Sequence, residues 1–271
     1  MHLARTTTAL TTLACLTLCQ AAFAVSSDIK ASNNEVTFQL MSTNVDYTET
    51  GGAYGVPPGT LDTETGSVPG YTLSVSKMQD WWLGNDYFEA EYDHAIGHTT
   101  YVGGYIGPAA TPYGSVVGAS TATLVNYSAR YGAGIMLHDR VMLTNFAELG
   151  HHEWDRGVNL GETYAHTYFG IGALCQYAPT HGLVISASAM IGRMFGSNIA
   201  VNGYFSGALG DSSLYRVGVG ADYALVQNVH GKISVDYMGF EYGRSGLYSG
   251  YFEPDSKTYL TTVKVGFGGE F

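Results

Sequence analysis

The 271-residue sequence predicts an all-β fold, a single antiparallel up-and-down transmembrane β-barrel of about ten strands. Eight or twelve strands are the alternatives. Three observations predict this fold. Segments that alternate between apolar and polar or small residues recur along the chain, long and short connections follow one another in turn, and aromatic residues stand at the strand ends.

Composition narrows the class before any element is placed. Only 13% of the residues are charged, against about 25% in an average soluble domain. The 36 glycines and 21 tyrosines favour one β-rich domain. A net charge of −11 leaves no basic surface for nucleic acid. The apolar content of 45% excludes intrinsic disorder.

Residues 1–24 have the pattern of a secretory signal peptide. Arg5 precedes an uncharged, leucine-rich stretch, and Ala22-Phe23-Ala24 has the small-x-small form of a cleavage site. The stretch is shorter than the roughly 20 residues that a membrane helix needs. We therefore predict a mature barrel domain of residues 25–271. Its one thiol, Cys175, has no partner for an internal disulfide and is interpreted as a small apolar residue on a strand face.

The clearest strand is Tyr215–Leu225, where one face is apolar and the other is polar or small. Tyr259–Phe271 repeats this pattern. The remaining segments are Val36–Tyr47, Tyr71–Met78, Tyr87–His94, Thr121–Tyr131, Val141–Leu149, Ala165–Tyr177, Leu183–Ile191 and Ile233–Tyr242. The first and ninth strands change phase at about Leu40 and Tyr237. Two interpretations stay open, bulges or strand ends that rise beyond the lipid.

The connections decide between a barrel and a soluble sandwich. Five are predicted to be long, at residues 49–70, 97–117, 151–162, 195–212 and 244–257. Four are predicted to be short, at residues 81–86, 132–139, 178–182 and 226–230. This alternation is typical of membrane barrels with long extracellular loops and tight periplasmic turns. An even strand count then places both termini on the periplasmic side, whereas Greek-key sandwiches have no reason to alternate in this way.

Aromatic residues mark the predicted strand ends, as the girdles of membrane barrels do. The ends next to the short turns carry Trp81, Tyr131, Tyr177, Tyr223 and Phe271, and the opposite ends carry Tyr47, Tyr71, Tyr92, Tyr215 and Tyr259.

The last eight residues, Lys264–Phe271, end an amphipathic strand with phenylalanine. This ending resembles the assembly signal of bacterial outer-membrane β-barrel proteins. We assign Lys264, Gly266, Phe267 and Phe271 to the signal, whereas Gly269 departs from its apolar expectation. Over the mature chain the pattern resembles the small outer-membrane barrels that include opacity-type and OmpA-type proteins. The resemblance implies periplasmic chaperones and the outer-membrane assembly machinery as partners during biogenesis. It also implies a final location in the lipid and lipopolysaccharide of a Gram-negative outer membrane.

With the apolar face toward lipid, charged residues of both signs face the lumen. They are Glu89, Glu91, Asp93, Arg130, Glu148, Arg216, Asp222, Asp236 and Lys264. Opposite charges in a narrow barrel can pair and offset the cost of burial. A packed polar core is one interpretation, and a narrow pore or ion relay is the other. A one-residue register shift would exchange the two faces of the first, second, fifth or seventh strand.

The densest titratable cluster is His151–Arg156, which the pattern places at the start of the third long loop. Adjacent histidines can bind a divalent metal, but neighbouring strand positions face opposite ways, so we predict a solvated rim and no metal or cofactor. His94 and His98 carry the same ambiguity.

The ten-strand count is similar to that of the omptin proteases, whose chemistry needs an acidic pair facing an Asp–His couple. Asp46 with Glu49, and His151 with Glu153 or Asp155, are the available groups, and neither matches the omptin motifs. We therefore predict no catalytic residues and no enzyme activity. The expected function is an envelope-structural or surface-interaction role through Tyr-, Ser- and Gly-rich loops that suit protein or glycan ligands. A narrow porin-like channel is the alternative, and an outer-membrane hydrolase is the third hypothesis.

Overall fold

The computed structural model describes residues 27–104 and 111–271. The predicted signal peptide lies outside the described residues, and so does the 105–110 segment of the second predicted long loop. A single short helix, α1 (Ser27–Ser32), precedes the strands in the described residues. No helix in these two ranges has the length and hydropathy required to cross a membrane.

Ten long strands and one short strand make up the described fold. They are β1 (Glu35–Thr50), β2 (Thr60–Gln79), β3 (Asp86–Gly103), β4 (Val116–His138), β5 (Val141–Arg156), β6 (Glu162–Thr180), β7 (Leu183–Val201), β8 (Phe205–Ala208), β9 (Ser213–Val226), β10 (Val229–Tyr242) and β11 (Asp255–Glu270). The ten long strands pair antiparallel with their neighbours, and β1 pairs with β11, so the sheet closes on itself. The predicted ten-strand barrel is confirmed. The short β8, which the sequence assigned to a loop, pairs with β7 beside the barrel.

Strict alternation creates the two faces of the barrel wall. In β1 the side chains of Val36, Phe38 and Leu40 are exposed on the outside, while Glu35 and Gln39 are buried inside. Closure pairs the backbone groups of every long strand on both sides and leaves no free sheet edge. An apolar outer band around a polar interior is the arrangement that suits a lipid surround.

The strands are strongly tilted, as the pairing register shows. Starting at Glu35 and stepping once around the barrel through paired residues leads back to Tyr47, twelve residues further along β1. A closed barrel accommodates such a stagger by tilting its strands, typically by about 35–45°. Residues at one height in the interior therefore occupy different positions along successive strands.

The bulge interpretation of β1 and β10 is wrong. Alternation runs unbroken through Leu40 and Tyr237, and no register shift occurs there. Instead, the polarity of the two faces reverses along β1, where Asn44 and Asp46 face outward and Tyr47 is fully buried inside. The alternative interpretation fits this pattern, because a strand that continues past the apolar band needs a polar outer face. Tyr47 is therefore not an outer girdle residue.

Most of the predicted loops are shorter in the structure, because the strands extend into them. At the end that we call the long-loop end, the connections shrink to residues 51–59, 104–115, 157–161, 202–212 and 243–254, with β8 inside the fourth. At the short-turn end they are residues 80–85, 139–140, 181–182 and 227–228. The predicted loop at His151–Arg156 and the predicted strand end at Tyr131 were wrong for this reason, although Tyr131 does lie near the short-turn end, with its ring centroid 6.1 Å from that of Trp82. His151–Arg156 is the last part of β5, and Tyr131 lies within β4, which continues to His138.

Aromatic side chains line the outer wall near both borders of the apolar band. Tyr237 stands between Tyr215 and Tyr259, with ring centroids 6.0 Å from each. Tyr71 and Tyr92 lie 6.3 Å apart on the other side of the β1–β11 junction. Near the short-turn end the side chains of Trp81, Tyr177 and Tyr223 are exposed. Cys175 is also exposed, on the outer face of β6.

The chain terminus sits at the junction of β1 and β11. The Phe271 amide donates to the Asn34 carbonyl at 3.1 Å, and the ammonium of Lys77 lies 4.6 Å from the Phe271 ring centre. Gly266 pairs with Gln39, and a Cβ at Gly266 would clash with the carbonyl oxygen of Phe38. A Cβ at Gly269 would meet no atom. Close strand approach therefore accounts for glycine at 266, and Lys264 faces the lumen.

Candidate functional site in the barrel interior

The helix α1 lies in the short-turn end of the lumen. Ile29 is fully buried, and the amide of Asn33 exchanges two hydrogen bonds with that of Gln176, at 2.8 and 3.0 Å. Asn34 accepts a hydrogen bond from the Met78 amide at 3.0 Å. Buried amide pairs of this kind leave few polar groups unsatisfied, so these hydrogen bonds anchor the segment after α1 to β2 and β6.

A basal cluster of Glu35, Asp222, His230 and Lys232 lies directly above α1. The Lys232 ammonium is 2.6 Å from Glu35 and 2.9 Å from Asp222, and His230 Nδ1 is 2.5 Å from Asp222. Glu35, Asp222 and His230 present ligand atoms within 4.8 Å of one another, which is compatible with a metal ion. However, the Lys232 ammonium lies within ion-pair distance of both carboxylates, so we interpret this group as an ion-pair cluster. Of its members the sequence identified only Asp222.

Glu148 is the centre of the first ion-pair group in the middle of the lumen. Its Oε2 accepts hydrogen bonds from Arg130 Nε at 3.0 Å and from Arg216, and its Oε1 accepts one from the Tyr168 hydroxyl at 3.1 Å. Arg130 also lies 3.4 Å from Glu89. Two arginines thus share one fully buried carboxylate, which fixes β4, β5 and β9 across the lumen.

Lys264 forms the second group. Its ammonium donates to Glu91 at 2.9 Å and to Asp93 at 3.0 Å, and the Thr72 hydroxyl donates to Asp93 at 2.6 Å. Asp236 lines the same cavity. The seven residues that the sequence singled out, Glu91, Arg130, Glu148, Arg216, Asp222, Asp236 and Lys264, all lie inside the barrel.

These groups surround a cavity of about 220 Å³. At about 15 Å³ for each water, such a cavity holds on the order of fifteen water molecules. Many of its lining side chains are small and polar, including Ser74, Ser186, Ser188 and Thr262. Its chemistry therefore suits water and small ions.

An aromatic layer covers this cavity toward the long-loop end. Trp154 packs against Tyr47 and Tyr164, with ring centroids 5.3 and 6.0 Å away. Below them, Phe240 lies between the imidazoles of His152 and His166, with centroid distances of 5.5 and 4.8 Å. The aromatic layer, defined as these six residues together with Tyr242, is buried throughout.

Above the aromatic layer, Arg156 is the centre of an acidic cluster. Its guanidinium lies 2.8 Å from Glu64, 3.1 Å from Glu162 and 3.5 Å from Asp62. It also covers the rings of Tyr47 and Trp154 at 4.4 and 5.0 Å. Cation–π contact and ion pairing together compensate the burial of this side chain. We call Arg156, Asp62, Glu64, Glu162, Glu49 and Glu253 the Arg156 cluster.

The sequence reasoning missed the Arg156 cluster, because it placed Arg156 in a loop. The sequence feature that could have revealed it is the alternate spacing of His152, Trp154 and Arg156. These residues continue the inward face of Glu148 along the same strand. The acidic partners on β2 and β6 were inside predicted loops as well.

The pKa of Glu253, in the connection between β10 and β11, is unusually high. Burial and the neighbouring carboxylate of Glu162 raise the pKa of Glu253 from 4.5 to about 8. Tyr164 donates a hydrogen bond to Glu253, which partly opposes this shift. Glu253 is therefore largely protonated in the folded barrel at neutral pH.

This raised pKa predicts a pH dependence of stability. Between about pH 4.5 and 8 the folded barrel binds a proton at Glu253 that the unfolded chain has released, so the stabilisation is complete below pH 4.5 and is lost as pH rises through 8. We expect the free energy of unfolding to fall by on the order of 1 kcal/mol per pH unit in this window. Glu253→Gln should flatten the slope. Urea unfolding in detergent at pH 5.5, 6.5 and 7.5 measures it, with Asp255→Asn as control, and an unchanged slope in Glu253→Gln would refute the assignment.

The groups considered for hydrolysis are not brought together. Asp46 faces outward and Glu49 inward on β1, and His151, Glu153 and Asp155 face outward on β5. The ring of His151 stacks on Tyr127 with centroids 5.1 Å apart, and His94 stacks on Tyr92 with centroids 6.2 Å apart. His151 and His152 lie on opposite faces of the wall, as expected for adjacent strand positions.

Comparison with known proteins shows the fold alone. No protein-family model matches the chain, and no curated protein is similar to it in sequence. Among solved structures, the chain is similar to the outer membrane protease OmpT from Escherichia coli, with 10% identity, a TM-score of 0.56, and coverage of 89% of this chain and 97% of OmpT. The translocator domain of the autotransporter NalP from Neisseria meningitidis gives 15% identity, a TM-score of 0.46, and coverage of 91% and 92%. OprG from Pseudomonas aeruginosa gives 14% identity, a TM-score of 0.36, and coverage of 88% and 98%.

Proposed function

From the fold of an outer-membrane β-barrel, we propose that this protein is a non-enzymatic barrel of the Gram-negative outer membrane that is closed to solutes. In this proposal the short-turn end and both termini face the periplasm, and the long-loop end binds a protein or glycan at the cell surface. The observation that carries the proposal is the packing of buried side chains across the lumen at two levels, at α1 below and in the aromatic layer above.

The closure involves side chains that cannot easily move aside. Tyr47, Trp154 and Tyr164 are each at most 2% exposed, and the Arg156 cluster lies directly on them. Between the two closures, Glu148 and Lys264 tie opposite parts of the wall together by charged hydrogen bonds. A solute would need to break several buried ion pairs, each costly to separate, before a continuous water path existed.

The outer wall of the barrel at the long-loop end supports a role in binding at the cell surface. Beyond the apolar band, the strands carry outward polar side chains at Asn44, Asp46, His98, Glu153, Asp155 and Glu241. We call these six residues the polar collar. It stands on paired strands, so its side chains are held in place by the barrel, as a preorganised binding surface requires. Lipopolysaccharide is the expected neighbour of this region.

Planar-bilayer conductance of refolded residues 25–271 tests the closure. We expect no discrete open steps from a barrel whose folding is verified by its heat-dependent shift in gel mobility. A variant that lacks residues 25–33 and carries Trp154→Ala removes both closures and should conduct, which shows that the assay detects an open lumen.

Discrete openings of the wild-type barrel would contradict the proposal and favour the second candidate, a narrow channel for small solutes. The specific observation behind that candidate is the polar cavity of about 220 Å³ lined by Arg216, Glu91 and Lys264. A channel of this kind should change its conductance when Glu91→Gln is introduced.

A further inference from the structure

His152 and His166 form a direct cross-strand pair on the inner wall. They are opposed in the β5–β6 ladder, and both side chains face the lumen. Directly opposed residues on one face of an antiparallel pair have Cβ atoms about 4.5–5.5 Å apart. The two ring centroids are 5.4 Å apart, with an angle of 42° between the ring planes. Metal–nitrogen bonds are about 2 Å long, so two imidazoles at this separation can share one ion.

The ring nitrogens of this pair are unusually short of partners. His152 is 2% exposed and His166 is fully buried. Both nitrogens of His152 and Nε2 of His166 have no hydrogen-bond partner among the described residues. Buried polar atoms are rarely left unpaired, and three in one pair point to a ligand that completes them.

The fourth nitrogen is held as a metal-binding histidine requires. His166 Nδ1 lies 2.6 Å from the Tyr242 hydroxyl. A hydrogen bond at one ring nitrogen fixes the ring and leaves the other nitrogen available to the metal. The tautomer with the proton on Nδ1 donates to Tyr242 and directs the lone pair of Nε2 toward the ligand.

We propose that His152 and His166 bind a monovalent soft metal ion, Cu(I), within the aromatic layer. The ion bridges one nitrogen of each ring. His152 lines the polar cavity together with Met41 and Met238, so the ion can enter from the cavity side, whose lining includes two residues with soft thioether donors. Imidazole and thioether are ligands that copper accepts.

The surroundings select a singly charged ion. Phe240 packs on both rings, and no carboxylate is hydrogen-bonded to the unpaired nitrogens. The cost of burying an ion in a poorly polarisable site grows with the square of its charge, so an ion of charge +2 with two neutral ligands is strongly disfavoured. Zinc, which prefers four ligands, is expected to bind weakly here.

The experiment loads the untagged chain of residues 25–271 with copper, and every form carries Cys175→Ala because the exposed thiol would itself bind Cu(I). The chain is refolded in detergent with Cu(I) and ascorbate without oxygen, desalted, and assayed for bound copper with a colorimetric Cu(I) chelator. We expect one copper per barrel, and X-ray absorption showing nitrogen donors. His152→Phe and His166→Phe should each weaken binding at least tenfold. His151→Phe, one residue away on the outer face, is the matched control and should bind as the wild type does.

Three outcomes would overturn the proposal. They are a wild-type barrel with the normal heat-dependent gel shift and no copper, copper retained by either inner variant, and copper lost equally from His151→Phe. Zn(II) bound more tightly than Cu(I) would refute the selectivity argument. If an inner variant fails to fold, X-ray absorption of the wild-type complex decides the proposal, because oxygen donors without imidazole would exclude this site.

Discussion

Replacing Arg156 by glutamine is expected to lower the free energy of unfolding by about 3–5 kcal/mol, the range for a buried ion pair that loses one partner. Arg156 is the one cation among the five buried acidic side chains of the Arg156 cluster. Without it, Glu64 and Glu162 face each other's charge with no compensation, and the rings of Tyr47 and Trp154 lose their cation. Urea unfolding in detergent at pH 7.5 measures the loss.

Arg244→Gln is the matched control for this prediction. Arg244 also pairs with an aspartate, Asp255, at 3.3 Å, but the side chains are 48% and 43% exposed. Exposed pairs contribute about 0–1 kcal/mol, so this variant should unfold almost as the wild type does. Equal effects of the two substitutions would show that burial of Arg156 does not determine the stability of the long-loop end.

Glu148→Gln should also destabilise the barrel by about 3–5 kcal/mol, since it removes the shared partner of two buried arginines. Arg130 keeps Glu89 as a partner at 3.4 Å, whereas Arg216 loses its one ion pair among the described residues. The effect should therefore act mainly through Arg216. Glu241→Gln, which breaks an equally close but half-exposed pair with Lys257, is the matched control with little expected effect.

A double variant makes this second prediction sharper. Arg216→Met in the Glu148→Gln background removes the unpaired charge and should restore part of the lost stability, whereas two independent losses would add. Additive losses, measured by the same urea unfolding, would contradict the idea that the unpaired guanidinium of Arg216 is the source of the cost.

The membrane-spanning half of this fold could be predicted from the sequence, because lipid determines the residues of the outer face there and the lumen determines those of the inner face. Lipid requires apolar outer residues such as Val36 and Phe38, and the lumen requires polar or small inner ones, so alternation identifies both the strands and the lumen charges. The partners of those charges follow from the barrel stagger. The pairing of Glu91 with Lys264 joins residues 173 positions apart, which no local pattern specifies.

The strand ends at the long-loop end were missed because the alternation of apolar outer and polar inner residues reverses beyond the apolar band. There water lies outside and the packed layer inside, so Glu153 and Asp155 were assigned to a loop and Tyr47 to the outer girdle. The same reversal concealed His152, Trp154 and Arg156 in a predicted loop. A pattern rule that also accepts strands with a polar outer face and an aromatic inner face would extend β5 through Arg156.

Because the strands continue well past the apolar band, the side chains of the polar collar stand on hydrogen-bonded strands and not on free loops. A partner that docks on it has little chain disorder to suppress, so its affinity would depend on side-chain fit alone. Such a surface can change by substitution of the outward-facing residues, which are every second residue of a strand. An inserted residue would turn all later side chains of the strand to the other face. Only the short connections at the tip are free to change in length.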